Sequence, residues 1–134
     1  MQIATGVDLV DLTGFRRQLS DPASAFVHKT FSTTEIQYAN AVPEPLRTAR
    51  LGVRYAAREA FLKAWSALRT DRCPVLRTFP YHQATITHDP YGRPKLQLRG
   101  ALAQSFEADG GGTIQVSLSH DGPMAIAYVT ILRS

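Results

Sequence analysis

Residues 47–68 read RTARLGVRYAAREAFLKAWSAL, and this stretch decides the fold. It contains no proline, and its six alanines are strong helix formers, so it predicts one long helix. At about 100° per residue, several of its apolar residues fall on one stripe of that helix. The stripe comprises Val53, Ala57, Ala60, Phe61, Ala64 and Leu68, with Trp65 at its edge. We expect the rest of the chain to cover this face.

The residues before this helix predict one strand and two short helices. Residues 3–9 form an apolar run with β-branched members, which is typical of a strand. Apolar residues then recur at helical spacing over residues 12–19. At residues 32–35 a serine is followed three positions later by a glutamate, and this capping box predicts a second short helix. We interpret residues 26–31, between the two, as a connector.

The residues after the long helix are richer in strands. Residues 83–87 alternate as a strand does, and dense turn residues at 89–94 predict a reversal into a strand at 95–98. A helix is predicted at about 101–106, and the two clearest strands, 113–119 and 125–132, are joined by a hairpin. Helices come first and paired strands last. This order predicts an α+β fold in a single domain, residues 1–134, with a long central helix against a mostly antiparallel sheet.

The composition constrains the environment and the partners of the protein. A chain of 134 residues with 44% hydrophobic content can bury a sufficient core without disulfides or a structural metal ion. Its one cysteine, Cys73, cannot form an internal disulfide, no segment approaches the length of a membrane span, and the amino terminus lacks a signal-peptide pattern. We therefore expect a soluble, cytoplasmic protein. The net charge of +4 favours an anionic partner, although the basic residues are scattered.

Glu59 and Lys63 are the first candidates for chemistry. Four residues of helix bring their side chains to within about 40° of each other, one turn apart. On most helices such a pair is only a solvated ion pair. Here Gly52 and Ala56 lie on the same side, and their small size predicts room for a ligand beside the charges; a glycine inside an exposed helix costs about 1 kcal/mol relative to alanine. The functional interpretation is a carboxylate for a metal ion and an ammonium for phosphate oxygens.

Asp8, which follows the first apolar residues, is the second candidate. An acidic residue near the end of a strand is as often a turn former or a helix cap, and Asp11 could equally be the cap. Magnesium needs hard oxygen ligands, and proteins usually supply one or two carboxylates while phosphates and water fill the other positions. Asp8 and Glu59 together meet that count. With Lys63, they predict a magnesium-assisted phosphoryl transfer.

The last hairpin offers a third candidate in Ser117, Ser119 and His120. Strand alternation puts the two serines on one face and His120 on the other. Hydroxyl groups and a histidine suit phosphate binding, although solvated serines on a strand edge are the more ordinary interpretation. The sequence has no G-x-S-x-G elbow around these serines, no zinc-type Cys/His spacing and no phosphate-binding loop with its lysine. His82 and His88 are interpreted as surface residues.

Five short motifs stand in a particular order along the chain. They are Gly6-Val-Asp-Leu-Val10, Phe31-Ser-Thr-Thr-Glu35, Arg54-Tyr-Ala-Ala-Arg-Glu-Ala-Phe-Leu-Lys-Ala64, Gly92-Arg-Pro94 and Val116-Ser-Leu-Ser-His120. In this order they resemble the holo-acyl-carrier-protein synthase family, the small trimeric group of 4'-phosphopantetheinyl transferases. The resemblance runs from residue 3 to residue 132, which is nearly the whole chain. It therefore implies the small 4'-phosphopantetheinyl transferase fold for the entire sequence.

The resemblance also implies a reaction: 4'-phosphopantetheine moves from coenzyme A to a serine of an acyl carrier protein, with Mg²⁺, and adenosine 3',5'-bisphosphate is released. Asp8 and Glu59 would be the metal ligands and, with Lys63, the catalytic residues. Arg16 and Arg17 would contact the carrier, either a free protein or a carrier domain of a fatty acid synthase. The coenzyme A site would comprise Arg54, Lys63, Gly92, Arg93, Pro94, Ser117, Ser119 and His120.

The family further implies a homotrimer with active sites between subunits and no nucleic-acid or membrane partner. The sequence departs from the family pattern at three places. Arg58 replaces a lysine, residues 65–74 replace a glycine-rich segment, and Asp121 stands where a hydroxyl residue is common. From the residues alone, two other functions stay open: a basic nucleotide- or RNA-binding module without chemistry, and a metal-dependent phosphohydrolase.

Overall fold

The computed structural model describes residues 1–134, and its elements follow the predicted order. They are β1 (Gln2–Asp11), α1 (Leu12–Leu19), α2 (Phe26–Thr30), α3 (Thr33–Asn40), α4 (Leu46–Ala67), a 3-10 turn (Tyr81–Gln83), β2 (Ala84–His88), β3 (Pro94–Leu98), α5 (Gly100–Ala108), β4 (Thr113–Asp121) and β5 (Met124–Arg133). The long helix is confirmed to within one residue at each end. The Asp11 cap of α1 and the Ser32–Glu35 capping box of α3 are confirmed as well.

The strands form two antiparallel sheets. One sheet has the order β1-β5-β4, and β2 and β3 form a separate pair. The α+β fold is therefore confirmed, with the strands divided between two sheets. In the three-stranded sheet, Asp8 lies opposite Ala127, which in turn lies opposite Leu118 on β4. Helix α4 covers the face of this sheet that carries Ala127 and Val129, which are fully buried.

Small residues let α4 lie directly on β1. Ala56, Ala60 and Ala64 have no exposed surface. A Cβ atom built on Gly6 would lie 1.9 Å from the carbonyl oxygen of Ala60, so only glycine allows the strand to cross the helix at this distance. This close approach holds Asp8, two residues further along β1, within reach of the Lys63 side chain of α4. A long-range contact at Gly6 thus positions one of the candidate site residues.

Gly52 has a different role from the one that the sequence suggested. A Cβ atom at this position would lie 2.4 Å from a side-chain carbon of Leu12 and 3.8 Å from Phe15. The glycine makes room for α1 on α4, and Ala56 is fully buried. The prediction that these two residues leave space for a ligand is wrong, because protein side chains and the sheet fill that space.

Residues 26–30 form the short helix α2, so the connector predicted for residues 26–31 is wrong. The Ser24 hydroxyl accepts a hydrogen bond from the Phe26 backbone N–H. The Phe26 ring packs 5.8 Å from the ring of Phe15 and 5.6 Å from that of Tyr55, measured between centroids. Tertiary aromatic packing therefore stabilises a helix of only five residues, which local propensity alone does not indicate.

A buried ion pair joins α3, α4 and the Tyr81–Gln83 turn. Arg58, which has no exposed surface, donates to both carboxylate oxygens of Glu35 and, through Nε, to the Tyr81 carbonyl at 2.8 Å. Although burial acts to raise the pKa of Glu35, the hydrogen bond and charge of Arg58, with backbone donors from Ile86 and Ser32, hold it below its usual value. A lysine could not make this set of bonds, because it lacks the planar fork of donors. This explains arginine at position 58.

None of the helices combines the length and the apolar composition that crossing a membrane requires.

Candidate active site

Glu59 lies on α4, half-buried, with one carboxylate oxygen engaged. The Tyr81 hydroxyl donates to Oε1 of Glu59 at 2.6 Å. The Tyr55 phenol approaches the same carboxylate. The Tyr81 backbone is in turn fixed to α4 by Arg58. A carboxylate has about four lone-pair positions, so Glu59 can still bind a ligand beside these two phenols.

Lys63 contacts Asp8 rather than Glu59. Its Nζ donates to the Val7 carbonyl at 2.9 Å and to Oδ1 of Asp8 at 3.1 Å. The solvated Glu59–Lys63 ion pair that four-residue spacing favours is thus not formed. Asp8 lies within β1 rather than at its end, on the face toward α4, with 17% of its side chain exposed. Its Oδ2 atom accepts no hydrogen bond from the protein.

Both carboxylates raise the pKa values of two neighbouring tyrosines. Burial, the charge of Glu59 and a side-chain hydrogen bond to Glu59 raise the pKa of Tyr55 to about 12, and Asp8 contributes in the same direction. Burial, the hydrogen bond to Glu59 and the charge of Glu59 raise the pKa of Tyr81 well above its ordinary value, again with a contribution from Asp8. Lys63 is bound to Asp8 of β1 and lies one turn from Glu59 on α4. The structure therefore brings Asp8, Glu59 and Lys63 to neighbouring positions in one subunit.

The donor set at this place fits magnesium. Asp8 and Glu59 both supply carboxylate oxygens, and such hard oxygens are the ligands that Mg²⁺ prefers. No group of three or more His, Cys, Asp or Glu side chains is arranged to hold a metal ion. Two carboxylates are a usual protein contribution to a magnesium site that phosphates and water complete. Lys63 lies beside them as a cation for phosphate oxygens.

Arg54 lies elsewhere in the subunit. It is nine residues before Lys63 and so about 180° away around α4. It is buried; Nη1 donates to the Arg50 carbonyl at 2.8 Å, Nη2 lies 3.2 Å from Nε2 of His88, and Nε has no partner. The guanidinium carbons of Arg50 and Arg54 lie 3.9 Å and 4.6 Å from the centroid of the Tyr38 ring.

This second cluster concentrates positive charge. Arg54 and His88 line a cavity of about 280 Å³. Burial and then the charges of Arg54 and Arg50 lower the pKa of His88. His88 lies on the surface, as predicted, but it also hydrogen-bonds a buried arginine, a role that its sequence position did not indicate. A phosphate group would suit this environment.

The other candidate residues also lie apart from Asp8 and Glu59 within one chain. The turn at residues 92–94 is exposed, and Asp89 shapes it by accepting from the backbone N–H groups of Tyr91 and Arg93. Ser117 and Ser119 are exposed, on the face of β4 opposite the half-buried Val116 and Leu118, as alternation predicts. His120 lines a cavity of about 420 Å³ between α1, α4 and the hairpin. A complete site formed from all of these residues would need a second subunit.

Two tyrosines beside Glu59 have no functional signal in the sequence. Tyr55 and Tyr81 stack with 6.2 Å between ring centroids and form part of a cavity of about 560 Å³. Tyr81 follows a proline-containing stretch that reads as a loop, so its position relative to α4 has no local signal. Tyr55 lies within a quoted motif, but its proximity to Glu59 depends on how the helix packs.

Comparison with known proteins identifies the family. Residues 4–128 match the family model of the 4'-phosphopantetheinyl transferase superfamily. The holo-[acyl-carrier-protein] synthase of Mycobacterium tuberculosis (strain H37Rv) is 38% identical over 133 residues, covering 98% of this chain and 97% of that protein. The synthase of Mycobacterium leprae (strain TN) is 33% identical over 129 residues, covering 96% and 95%.

Solved structures of proteins from this family are similar to this chain as well. A Chronobacterium ammoniagenes ACPS–CoA complex has a TM-score of 0.93 at 35% identity, covering 100% of this chain and 99% of that one. An acyl carrier protein synthase of Mycobacterium tuberculosis has a TM-score of 0.78 at 30% identity, covering 99% and 100%. The chain therefore belongs to the 4'-phosphopantetheinyl transferase superfamily and, within it, to the holo-[acyl-carrier-protein] synthases.

Proposed function

We propose that this enzyme transfers 4'-phosphopantetheine from coenzyme A to a serine of an apo acyl carrier protein, or of a carrier domain of a fatty acid synthase, and releases adenosine 3',5'-bisphosphate. The observation that carries the proposal is the cluster of Asp8, Lys63 and Glu59, where β1 crosses α4. Two carboxylates with free oxygens and an adjacent ammonium are what a diphosphate with its cation requires. The single cysteine suits a reducing cytoplasm, which we propose as its location.

The chain's own residues supply most of the chemistry. Asp8 and Glu59 would hold Mg²⁺, which when bound neutralises charge that builds on the diphosphate. Lys63 would exchange its bonds to Asp8 and the Val7 carbonyl for bonds to phosphate oxygens and donate to the departing oxygen. Glu59 would accept the proton of the carrier serine through a water molecule as the serine oxygen bonds to phosphorus and the diphosphate bond breaks. Positioning supplies much of the remaining acceleration.

The nucleotide end of coenzyme A needs further cations and a turn. We propose that Arg54, beside His88, binds a phosphate of the nucleotide, because its buried Nε has no partner in the protein. The exposed turn at residues 92–94 would contact the adenine end. Ser117, Ser119 and His120 complete the coenzyme A site in this proposal.

For the carrier protein, we propose that α1 is the docking surface. Arg16 and Arg17 are exposed on this helix. Arg16 pairs with Glu44 at 3.3 Å, whereas Arg17 has no ion-pair partner. Exposed cations of this kind steer an acidic partner and lose their effect as salt rises.

A homotrimer would unite the separated residues. The face of the three-stranded sheet that points away from α4 carries three cross-strand apolar pairs, all exposed. They are Ile3–Leu132, Val7–Tyr128 and Leu9–Ile126. A contiguous apolar face of this kind marks a protein interface. We propose that it joins the subunits and brings coenzyme A residues of one chain to Asp8 and Glu59 of another.

The double substitution Val7→Glu with Tyr128→Glu is expected to convert the protein from a trimer to a monomer. Two buried, unpaired charges would oppose association, while the fold of the single chain is retained because both positions are exposed in it. Light scattering coupled to gel filtration measures the mass. Transfer activity is expected to fall with the trimer. Gln104→Glu, at an exposed position of α5, is the control and should stay trimeric. A monomeric wild type would contradict the proposal.

Asp8→Ala is expected to raise the half-saturating magnesium concentration at least about tenfold, because one of two protein ligands is lost. Initial rates of transfer measured over a magnesium titration test this. Asp11→Ala is the matched control: it removes an exposed carboxylate that caps α1 and should leave the magnesium curve unchanged. An unchanged curve for Asp8→Ala would remove Asp8 from the metal site.

The reaction itself is tested by mass spectrometry of an apo carrier protein incubated with the enzyme, Mg²⁺ and coenzyme A. We expect the carrier to gain one phosphopantetheine group. A parallel incubation without the carrier distinguishes hydrolysis from transfer. Release of the bisphosphate without any carrier would favour a phosphohydrolase instead.

A further inference from the structure

We infer that Tyr81 is a positioning residue for Glu59: its hydroxyl engages Oε1 and so presents Oε2 alone to the reactants. This inference rests on the proposed function, and it concerns a residue that lies outside the five motifs. The observation behind it is the 2.6 Å hydrogen bond from the Tyr81 hydroxyl to Oε1 of Glu59.

The position of the Tyr81 ring is fixed from several sides. Its backbone carbonyl accepts from Nε of Arg58, which is itself fully buried and bound to Glu35. The ring meets Phe79 edge-on with 4.8 Å between centroids and stacks on Tyr55. A phenol held in this way loses little additional freedom when it forms a hydrogen bond, so the bond can orient its partner.

The Tyr55 phenol also approaches Glu59, but the Tyr81 hydroxyl makes the short hydrogen bond to a defined oxygen, Oε1. Lys63, one turn further along α4, is bound to Asp8 and the Val7 carbonyl instead. Without Tyr81, the three rotatable bonds of the glutamate side chain would let either oxygen point toward solvent. The phenol is protonated at neutral pH, because the ordinary pKa of a tyrosine is about 10. It therefore acts as a constant donor and does not compete with Glu59 for a proton.

The two carboxylate oxygens of Glu59 therefore have different roles. Oε1 holds the side chain in place, and Oε2 is the atom left for the cation or for the proton of the serine. The carboxylate is then oriented before the substrate arrives, and preorganisation of this kind affects the rate of the chemical step more than substrate binding.

Tyr81→Phe tests this inference, because it keeps the ring and its packing while it removes the hydroxyl. We expect kcat to fall about ten- to hundred-fold, the effect of losing one hydrogen bond to a charged group, while KM for the carrier changes less than about twofold. A kcat within about twofold of wild type would overturn the inference. If the wild type itself transfers nothing, the proposed function fails, which is a different result.

A readout without substrate comes from carboxyl carbon NMR. The chain has four glutamates, so a sample labelled at the glutamate carboxyl carbons gives four signals, and the Glu59 signal is the one lost in Glu59→Gln. In Tyr81→Phe we expect the Glu59 signal to move and the Glu35 signal, which reports the buried ion pair, to stay. An unmoved Glu59 signal would overturn the inference, as would movement of both signals, which would indicate a merely structural role.

Discussion

Glu59→Gln is expected to reduce phosphopantetheine transfer at least about 10²-fold to 10³-fold and to leave the fold intact. The amide keeps the shape of the side chain, and its carbonyl can still accept from Tyr81. It carries no negative charge to hold a cation, and it cannot accept the serine proton. Loss of general base catalysis alone accounts for about 10²- to 10⁴-fold. Turnover is measured by mass spectrometry of the carrier, and the fold by circular dichroism during thermal unfolding.

Glu107→Gln is the matched control, because it makes the same chemical change on the exposed face of α5. It should retain wild-type turnover. Near-normal turnover in Glu59→Gln would exclude Glu59 from the mechanism. An unfolded Glu59→Gln variant would instead mean that the carboxylate has a structural role, which its half-buried position does not indicate.

Arg58→Met is expected to lower the free energy of unfolding by about 3–5 kcal/mol, because it leaves the Glu35 carboxylate buried without its partner. Arg58 also supplies the bond to the Tyr81 carbonyl, so Tyr81 should become less ordered and activity should fall as well. Urea unfolding monitored by tryptophan fluorescence measures the stability; the chain has one tryptophan, Trp65. The free energy of unfolding of Arg58→Lys should lie between those of the wild type and Arg58→Met. The lysine ammonium keeps the positive charge but lacks the planar fork of donors that arginine has.

The stability difference between the wild type and Arg58→Met should change with pH in a defined direction. In the wild type the folded pKa of Glu35 is lower than the ordinary value of 4.5, so the stabilisation is present above that value and is lost as pH falls through the folded pKa. In Arg58→Met the buried carboxylate is unpaired and gains by protonation. The stability gap between the two proteins should therefore narrow as pH is lowered below about 5.

The neutral pair Glu35→Gln with Arg58→Met should recover part of the loss, because no charge is then left buried. If the free energy of unfolding of Arg58→Met falls by less than about 1 kcal/mol, the ion pair contributes little to stability.

Elements specified by local signals were predictable from the sequence. The alanine-rich segment gave α4, and Ser32 with Glu35 gave the start of α3. Local signals do not show tertiary contacts. The sequence predicts Glu35 only as part of a helix cap, but its carboxylate also binds Arg58, which is 23 residues later in the chain. Helix α2 was missed because the packing of Phe26 on other rings, rather than propensity, stabilises it.

The roles of the candidate site residues stay predictions, and their contacts differ in part from those that the sequence indicates. Helical spacing paired Lys63 with Glu59, but the packing of β1 at Gly6 offers Lys63 a closer partner in Asp8. Gly52 was interpreted as space for a ligand, because a sequence does not show which side chain fills the place of a missing one. Tyr81 had no signal at all. Of the residues predicted to bind coenzyme A, Lys63 lies beside Asp8, whereas the others lie apart from Asp8 within one chain.

The most direct test of the central claim is a crystal structure of the enzyme with coenzyme A in which Mn²⁺ replaces Mg²⁺ and is located by its anomalous scattering. We predict one Mn²⁺ bound by oxygens of both Asp8 and Glu59, at about 2.0–2.2 Å, and by the diphosphate of coenzyme A. A cation that binds the diphosphate while contacting only one of these carboxylates, or neither, would contradict the proposal.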